Sequence, residues 1–333
     1  MHVFSSLFTT AFCIYSIKYK VESIAGNTLC WVKKPDYTSI RKQLIKCNCI
    51  DDNTGFTILN LQSKDIFISK SDNTIMIIFQ DFKQIFNLRS KDNIFSLKKL
   101  SLKTDHLDHI ELLSQLGCLT DLDLSYNALT SLSSEIGNLI NLKQLDLLYN
   151  KLTIVPSEIG NLTSLIQLNL SCNLLANLPS EIRKLTRLTT LNLSYNNKLA
   201  NLPSEIYNLI NLTTLHLSYN QLTNLPSEIS KLTHLTALNL SINKLTNLPS
   251  EIGNLTSLIY LYLNSNYLTS LPSEIGKLTN LTMLYFNSNK LTNISSEIGK
   301  LTNLTKLDLR DNKLTNELKI EINSWFKNSV VCI

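Results

Sequence analysis

Long hydrophobic runs are missing from this chain. Outside its first seventeen residues, no stretch of the 333 reaches the roughly 18 apolar residues that a helical membrane span requires. A one-sided charge distribution is missing as well. Residues 97–333 carry 19 Lys/Arg against 18 Asp/Glu, and residues 1–96 carry 12 against 8. The basic excess therefore sits mostly in the first third, with no Lys/Arg stripe of the kind that phosphate backbones need, and nucleic acid is excluded as a partner. No phosphate-cradling loop, nucleophile motif or His-Glu metal motif is present. The seven cysteines, Cys13, Cys30, Cys47, Cys49, Cys118, Cys172 and Cys332, are odd in number and form no paired framework. Unpaired thiols point to a reducing compartment. Cys47-Asn48-Cys49 is the one close pair, read as unrelated thiols with a metal or redox site as the alternative.

What is present is a period. Asn127, Asn150, Asn173, Asn196, Asn220, Asn243, Asn266, Asn289 and Asn312 are spaced by 23 residues, except for one interval of 24 between Asn196 and Asn220. Around each the pattern is L-x-x-L-x-L-x-x-N-x-L, as in LTDLDLSYNAL (Leu119–Leu129) and LTALNLSINKL (Leu235–Leu245). An earlier copy, LKKLSLKTDHL (Leu97–Leu107), carries Asp105 in the asparagine slot. A fixed period in the twenties is the signature of a solenoid, and this one resembles the leucine-rich repeat family. The resemblance covers residues 97–314 in about ten copies, and it implies an α/β solenoid, curved, with a parallel sheet on the concave face and short helical or extended turns on the convex face. The return segment L-P-x-E-I-G-x-L is similar to that of intracellular Ras-group-related leucine-rich repeat proteins and Ras-binding scaffold proteins. Extracellular members of the family usually bracket their arrays with cysteine-rich caps, and neither flank here has one.

The spacing explains how one repeat is built. The paired leucines, such as Leu215 and Leu217, lie two apart and face one way, while His216 between them faces the other, as in a strand. The asparagine follows where the chain turns inward. A buried amide carries donors and an acceptor, so it can bond the backbone of its own turn and of the next coil. In the return segment the apolar residues are three or four apart, which suits a compact helical or extended turn. Pro156, Pro179, Pro203, Pro226, Pro249 and Pro272 fix φ at its start, with Ser133 and Ser295 in that slot toward the ends. Arg183, Tyr207 and Ser230 replace the glycine, so φ > 0 is not required there. Seven apolar slots per repeat point inward. Each buried leucine contributes about 1.5–3 kcal/mol, and ordering some 23 residues costs an amount comparable to or larger than the seven together supply, so a single repeat should not fold alone and stacking must supply the stability.

The domain organisation read this way is an N-terminal region of uncertain fold over residues 1–96, which can include an N-terminal cap, an array over 97–316, and a C-terminal helical cap over 317–333. Leu318, Ile322, Trp325 and Phe326 share one face of a helix predicted over Glu317–Asn328. In ILNLQSKDIFISKSDNTIMIIFQ (Ile58–Gln80) the signals for strands or degenerate coils are mixed. The segment MHVFSSLFTTAFCIYSI imitates a signal peptide and Ser23-Ile24-Ala25 a cleavage site, but no Lys or Arg precedes the apolar run, and Lys18 and Lys20 interrupt the approach to the site. The expected location is cytoplasmic, with secretion as the alternative. The additional residue of the long interval, Asn197, falls outside strand and core slots and is expected to form a bulge that leaves both in register. The reading is a tolerated insertion; the alternative makes Asn197 part of a local surface landmark, because Arg183, Lys184, Arg187 and Tyr207 depart from the common return segment in the same two repeats.

Chemistry is sparse. DHLDH (Asp105–His109) carries ligand-type side chains at no familiar metal spacing and reads as a solvated edge. Asp146, His216 and Ser218 share the predicted sheet, but Asp146 and His216 are three strands apart, roughly 14 Å, too far for a hydrogen-bonded triad. No enzyme, cofactor or metal is expected. Information lies instead on the sheet face, which varies while the return segments repeat. It begins acidic with Asp121, Asp123 and Asp146, passes through amides, His216, Tyr195 and Tyr219, and turns aromatic at Tyr260, Tyr262, Met283 and Tyr285. The expected function is a scaffold or adaptor that binds a partner protein on this face, with a small GTPase or phosphatase implied by the resemblance. Two alternatives stay open: an exported effector that binds another organism's proteins, and an enzyme whose small catalytic domain lies in residues 1–96.

Overall fold

The computed structural model describes residues 22–24, 27–33, 65–69, 74–76 and 99–101 as backbone strands, and residues 117–326 and 330–333 in full. Asp105–His109, the Cys47–Cys49 pair and the apolar first seventeen residues lie outside the described residues. Strands β1 (Glu22–Ile24), β2 (Asn27–Lys33) and β3 (Asp65–Ser69) form an antiparallel sheet. A second sheet holds twelve strands in chain order, all parallel. It opens with β4 (Thr74–Met76). The ten repeat strands follow: β5 (Lys99–Ser101), β6 (Asp121–Asp123), β7 (Gln144–Asp146), β8 (Gln167–Asn169), β9 (Thr190–Asn192), β10 (Thr214–His216), β11 (Ala237–Asn239), β12 (Tyr260–Tyr262), β13 (Met283–Tyr285) and β14 (Lys306–Asp308). It closes with β15 (Val330–Cys332).

Each repeat strand is three residues long because only L-x-L carries the period of two, and its central leucine is buried in every described copy. The seven apolar slots fill one continuous core. In the repeat after Asn127 they are Leu142, Leu145, Leu147, Leu152, Val155, Ile159 and Leu162, none more than 6% exposed. The return segments are five-residue 3-10 turns, such as Ser157–Asn161, entered through Pro156 at φ −67°. The serine after each proline does not cap the turn. Ser157 Oγ donates to Glu158 Oε2 at 3.0 Å, whereas Ser295, standing in the proline slot, accepts from the Glu297 N–H at 3.3 Å.

The asparagine ladder is directional. Asn150 Nδ2 donates to Leu147 O in its own turn at 3.0 Å and to Leu124 O in the preceding coil at 2.9 Å. Its Oδ1 accepts from the Leu129 N–H of that coil at 3.1 Å. The long-range bonds thus run back to the previous coil rather than on to the next. The pattern recurs through Asn312. An outer threonine column adds to it: Thr213 Oγ1 donates to Thr189 O at 3.1 Å and Thr236 Oγ1 to Thr213 O at 3.0 Å.

Asn197 leaves the sheet in register, with Thr190 paired to Thr214 and Thr214 to Ala237. The chain absorbs it as a turn closed by the Leu199 N–H on Asn196 O at 2.8 Å. That turn uses the N–H the ladder would otherwise engage, so Asn220 Oδ1 accepts instead from the Asn196 N–H at 3.0 Å. The core registers the change at Leu202, which is only partly buried.

Glycine in the return segment answers to contact rather than to backbone angle, since neither the glycines nor the other residues of these turns have positive φ. A Cβ on Gly160 would stand 2.6 Å from Glu181 O, and on Gly253 2.5 Å from Glu274 O. Tyr207 fills this slot with its ring 1% exposed, and the following turn packs less closely on it. A surface landmark that includes Tyr207 is therefore ruled out, because the ring lies beneath the turn. Its hydroxyl is the one buried side-chain polar atom among the described residues without a hydrogen-bond partner.

At the C-terminus, Asn316–Trp325 is helical, and Thr315 Oγ1 caps it by accepting from the Leu318 N–H at 3.3 Å. Ile322 and Phe326 are buried while Leu318 and Trp325 are partly so. The chain then returns to the sheet. Leu309 N–H donates to Cys332 O at 2.7 Å and Val330 N–H to Thr305 O at 2.9 Å.

Candidate interaction face

Three columns of side chains cross the sheet face, one position per strand in each. The first holds Asp121, Gln144, Gln167, Thr190, Thr214, Ala237, Tyr260, Met283 and Lys306, set side by side by the parallel register. The second, between the paired leucines, holds Asp123, Asp146, Asn169, Asn192, His216, Asn239, Tyr262, Tyr285 and Asp308. The third precedes the ladder asparagine.

At the acidic end, Thr120 Oγ1 donates to Asp121 Oδ2 at 2.6 Å. Asp123 Oδ1 accepts from the Ser125 N–H at 2.8 Å and from Ser125 Oγ at 2.5 Å. Asp146 Oδ1 accepts from the Leu148 N–H at 2.9 Å. Asn169, Asn192 and Asn239 do the same toward the N–H two residues on. The second column is therefore built partly to hold the exit from each strand, a local side-chain turn that Asp and Asn make readily. Its D/N-x-S spacing was a readable signal of this role.

His216 is half-buried between the Asn192 and Asn239 strands, and burial holds its pKa below the usual imidazole range. On the aromatic end, Tyr262 and Tyr285 stack with centroids 5.1 Å apart and planes 18° from parallel. Burial and then the neighbouring Tyr285 raise the Tyr262 phenol. Lys306 Nζ lies 5.1 Å from the Tyr285 centroid. Tyr260 and Met283 pair across the same two strands. The face then closes: Asp308, 2% exposed, receives Arg310 through Nε at 3.0 Å and Nη2 at 2.6 Å, and this pairing holds its carboxyl below the usual range.

The register brings Tyr260, Tyr262, Met283 and Tyr285 into one cluster. It keeps Asp121, Asp123 and Asp146 together at the far end, with Tyr195 and Tyr219 stacked at 4.0 Å between them. It does not bring Asp146 to His216, which are separated by β8 and β9. Among the described residues no group of three His, Cys, Asp or Glu could hold a metal ion, Cys118, Cys172 and Cys332 form no disulfide, and no helix is long and apolar enough to cross a membrane.

The repeats match known proteins. The profile of the leucine-rich repeat region matches residues 204–327, and that of the single leucine-rich repeat matches 118–139, 141–162 and 187–209. No curated protein sequence matches the chain. Among solved structures, a leucine-rich repeat protein of Leptospira interrogans is 35% identical, with a TM-score of 0.61, over 78% of this chain and 70% of that one. An internalin of Listeria monocytogenes is 27% identical, with a TM-score of 0.67, over 77% and 72%. The plant peptide hormone receptor RGFR1, in complex with RGF2, is 34% identical with a TM-score of 0.58, over 66% of this chain and 37% of the receptor. Period, ladder, parallel sheet and these matches agree, and the chain belongs to the leucine-rich repeat family.

Proposed function

We propose that the protein is a non-enzymatic scaffold that captures a partner protein on the sheet face, anchored by Tyr260, Tyr262, Met283 and Tyr285. The stacked Tyr262–Tyr285 pair carries this reading. Interface energy concentrates in aromatic anchors set in partly desolvated surroundings, and this cluster combines three phenol rings with a thioether on two adjacent strands. Asp121, Asp123 and Asp146 act at the other end on association rate and its salt dependence, with Tyr195, Tyr219 and His216 as the ground between. A small GTPase or phosphatase is the partner implied by the return-segment resemblance, and unpaired cysteines favour a cytoplasmic setting.

The test is affinity capture with wild type and with Tyr262→Ala/Tyr285→Ala as the control. The double variant is expected to bind the captured partner at least roughly thirtyfold more weakly, about 2 kcal/mol, at an unchanged melting temperature. A partner that binds both proteins equally would remove the anchor from this cluster.

A further inference from the structure

The junction between the coil of Asn196 and the coil of Asn220 is built unlike its neighbours. Its sheet side is closed. Thr190 pairs with Thr214 in register, the Thr213 N–H and Oγ1 donate to Thr189 O at 2.9 and 3.1 Å, and Ser218 Oγ donates to Ser194 Oγ at 3.0 Å. The Tyr195 and Tyr219 rings stack at 4.0 Å, closer than the 5.3 Å of Tyr126 and Tyr149, the other adjacent pair in that column.

Its convex side is wedged. At Gly137, Gly160, Gly253 and Gly276 a Cβ would stand 2.8, 2.6, 2.5 and 2.4 Å from the next turn, so no side chain fits between the turns. Tyr207 sets a whole ring in that slot, 1% exposed, and the turns 204–208 and 227–231 pack less closely than the others. A side chain at this position does not by itself part the turns. Arg183 is exposed and Ser230 Oγ bonds back to Ser227 O at 2.8 Å, and the turns beside them keep close to the usual packing. The ladder retreats toward the sheet at the same junction, since Asn220 Oδ1 takes the Asn196 N–H while the Leu199 N–H closes its own turn. Leu202 is left only partly buried, and among the described residues no hydrogen bond holds the Tyr207 hydroxyl to either turn.

A coil pinned along its strand and pried apart at its turn can move only by rotating about the pinned edge. Closure of the Tyr195–Tyr219 stack and parting of the turns are the two ends of that rotation. Openings concentrate where few buried contacts cross, and hinges use a few element-terminal residues. We propose that this junction is a hinge between two arms of the array, residues 117–208 and 209–326, with the β9–β10 seam as its axis and the Tyr207 ring as the wedge that sets its bend. The bend of the sheet face and the convex seam are then linked in both directions: whatever spreads Tyr195 from Tyr219 closes the turns on Tyr207.

Hydrogen exchange of the full chain, followed by NMR, tests the hinge against an internal standard. The Ile182, Ile206, Ile229 and Ile252 N–H groups make the same 3.1 Å bonds, to Pro179, Pro203, Pro226 and Pro249 O, and all four residues are 0% exposed. Ile206 and Ile229 are expected to exchange at least about tenfold faster than Ile182 and Ile252, because only they border the wedged seam. Tyr207→Gly restores the ordinary slot, and should bring all four within about twofold while moving the ring resonances of Tyr195 and Tyr219 and leaving those of Tyr262 and Tyr285 in place. Tyr207→Phe keeps the wedge and should leave all four tyrosines as in wild type. Equal exchange of the four amides in wild type overturns the hinge. Tyr195 and Tyr219 resonances unmoved in Tyr207→Gly, or moved as far in Tyr207→Phe, overturn the role of the ring as wedge. Should Tyr207→Gly fail to fold, wild-type exchange and the Tyr207→Phe resonances decide.

Discussion

A buried amide is the smallest unit on which the array depends. Asn220 accepts from the Asn196 N–H and donates to Leu193 O and Leu217 O at 3.0 and 2.8 Å, three backbone groups in two coils. Asn220→Ala leaves the buried Asn196 N–H without a partner and removes one of the two donors on each carbonyl, Leu193 O keeping Asn196 Nδ2 and Leu217 O keeping Asn243 Nδ2, and a loss of about 1–3 kcal/mol is expected from denaturant unfolding. Deleting Asn197 should change stability by less than about 1 kcal/mol, because it restores the Leu199 N–H to the ladder that every other repeat uses. Equal midpoints for wild type and Asn220→Ala would refute the role given to the ladder. Tyr207 presents the opposite case. Burial, and then the charge of Glu228, push its phenol far above the ordinary range, and its hydroxyl has no hydrogen-bond partner among the described residues. Tyr207→Phe should therefore stabilise by about 1 kcal/mol, read as a raised unfolding midpoint, since removing an unsatisfied buried hydroxyl sheds its desolvation penalty. The ladder was legible in the sequence because an asparagine at fixed spacing has one use in a solenoid. The burial of Tyr207 was not, because a residue between two turns is placed by how far apart they stand, a distance that no periodicity records.

At the scale of elements, strands and core followed directly from leucine spacing, and the sheet face could be assigned position by position. The return segments could not be resolved further than helical or extended. Five residues are too few to establish the i to i−4 bonding of an α-helix, and the observed 3-10 turns close with i to i−3 bonds such as the Ile159 N–H on Pro156 O at 3.1 Å. The replaceable glycine misled in an instructive way: tolerance at three repeats showed that φ was ordinary, but not that the neighbouring turn comes within contact of the others. The structure makes the distinction testable. Gly160→Ala sets a methyl 2.6 Å from Glu181 O, a backbone atom held by its own turn, and should destabilise by about 1–3 kcal/mol. Gly299→Ala meets only the Trp325 side chain at 3.5 Å, an ordinary contact, and should be close to neutral. Equal melting temperatures for the two variants would show that the turns can part without penalty.

At the scale of the whole molecule, the sheet outlasts the repeats at both ends. β4 extends it before the first copy and β15 after the last, so neither Lys99–Ser101 nor Lys306–Asp308 is an edge. Sheet edges expose unpaired N–H and C=O groups and invite pairing with another chain. A solenoid faces that hazard twice, together with an open end of its core, and needs both covered. At the C-terminus the two tasks fall to one segment. The Asn316–Trp325 helix lays Ile322 against the last coil, with Trp325 beside Gly299, while Val330–Cys332 pairs with β14. Deleting Glu317–Ile333 would uncover Leu304, Leu307 and Leu309, now at most 3% exposed, and at the same time open the β14 edge beside them. Lost burial alone would lower the melting temperature of the end repeats. A bare apolar surface next to a free strand edge should in addition drive association, with light scattering that grows with protein concentration. A truncated protein that stayed monomeric with an unchanged melting temperature would place the cap elsewhere in the chain. One that melted early yet stayed monomeric would show that the helix supplies stability while the β14 edge is protected by its own short length.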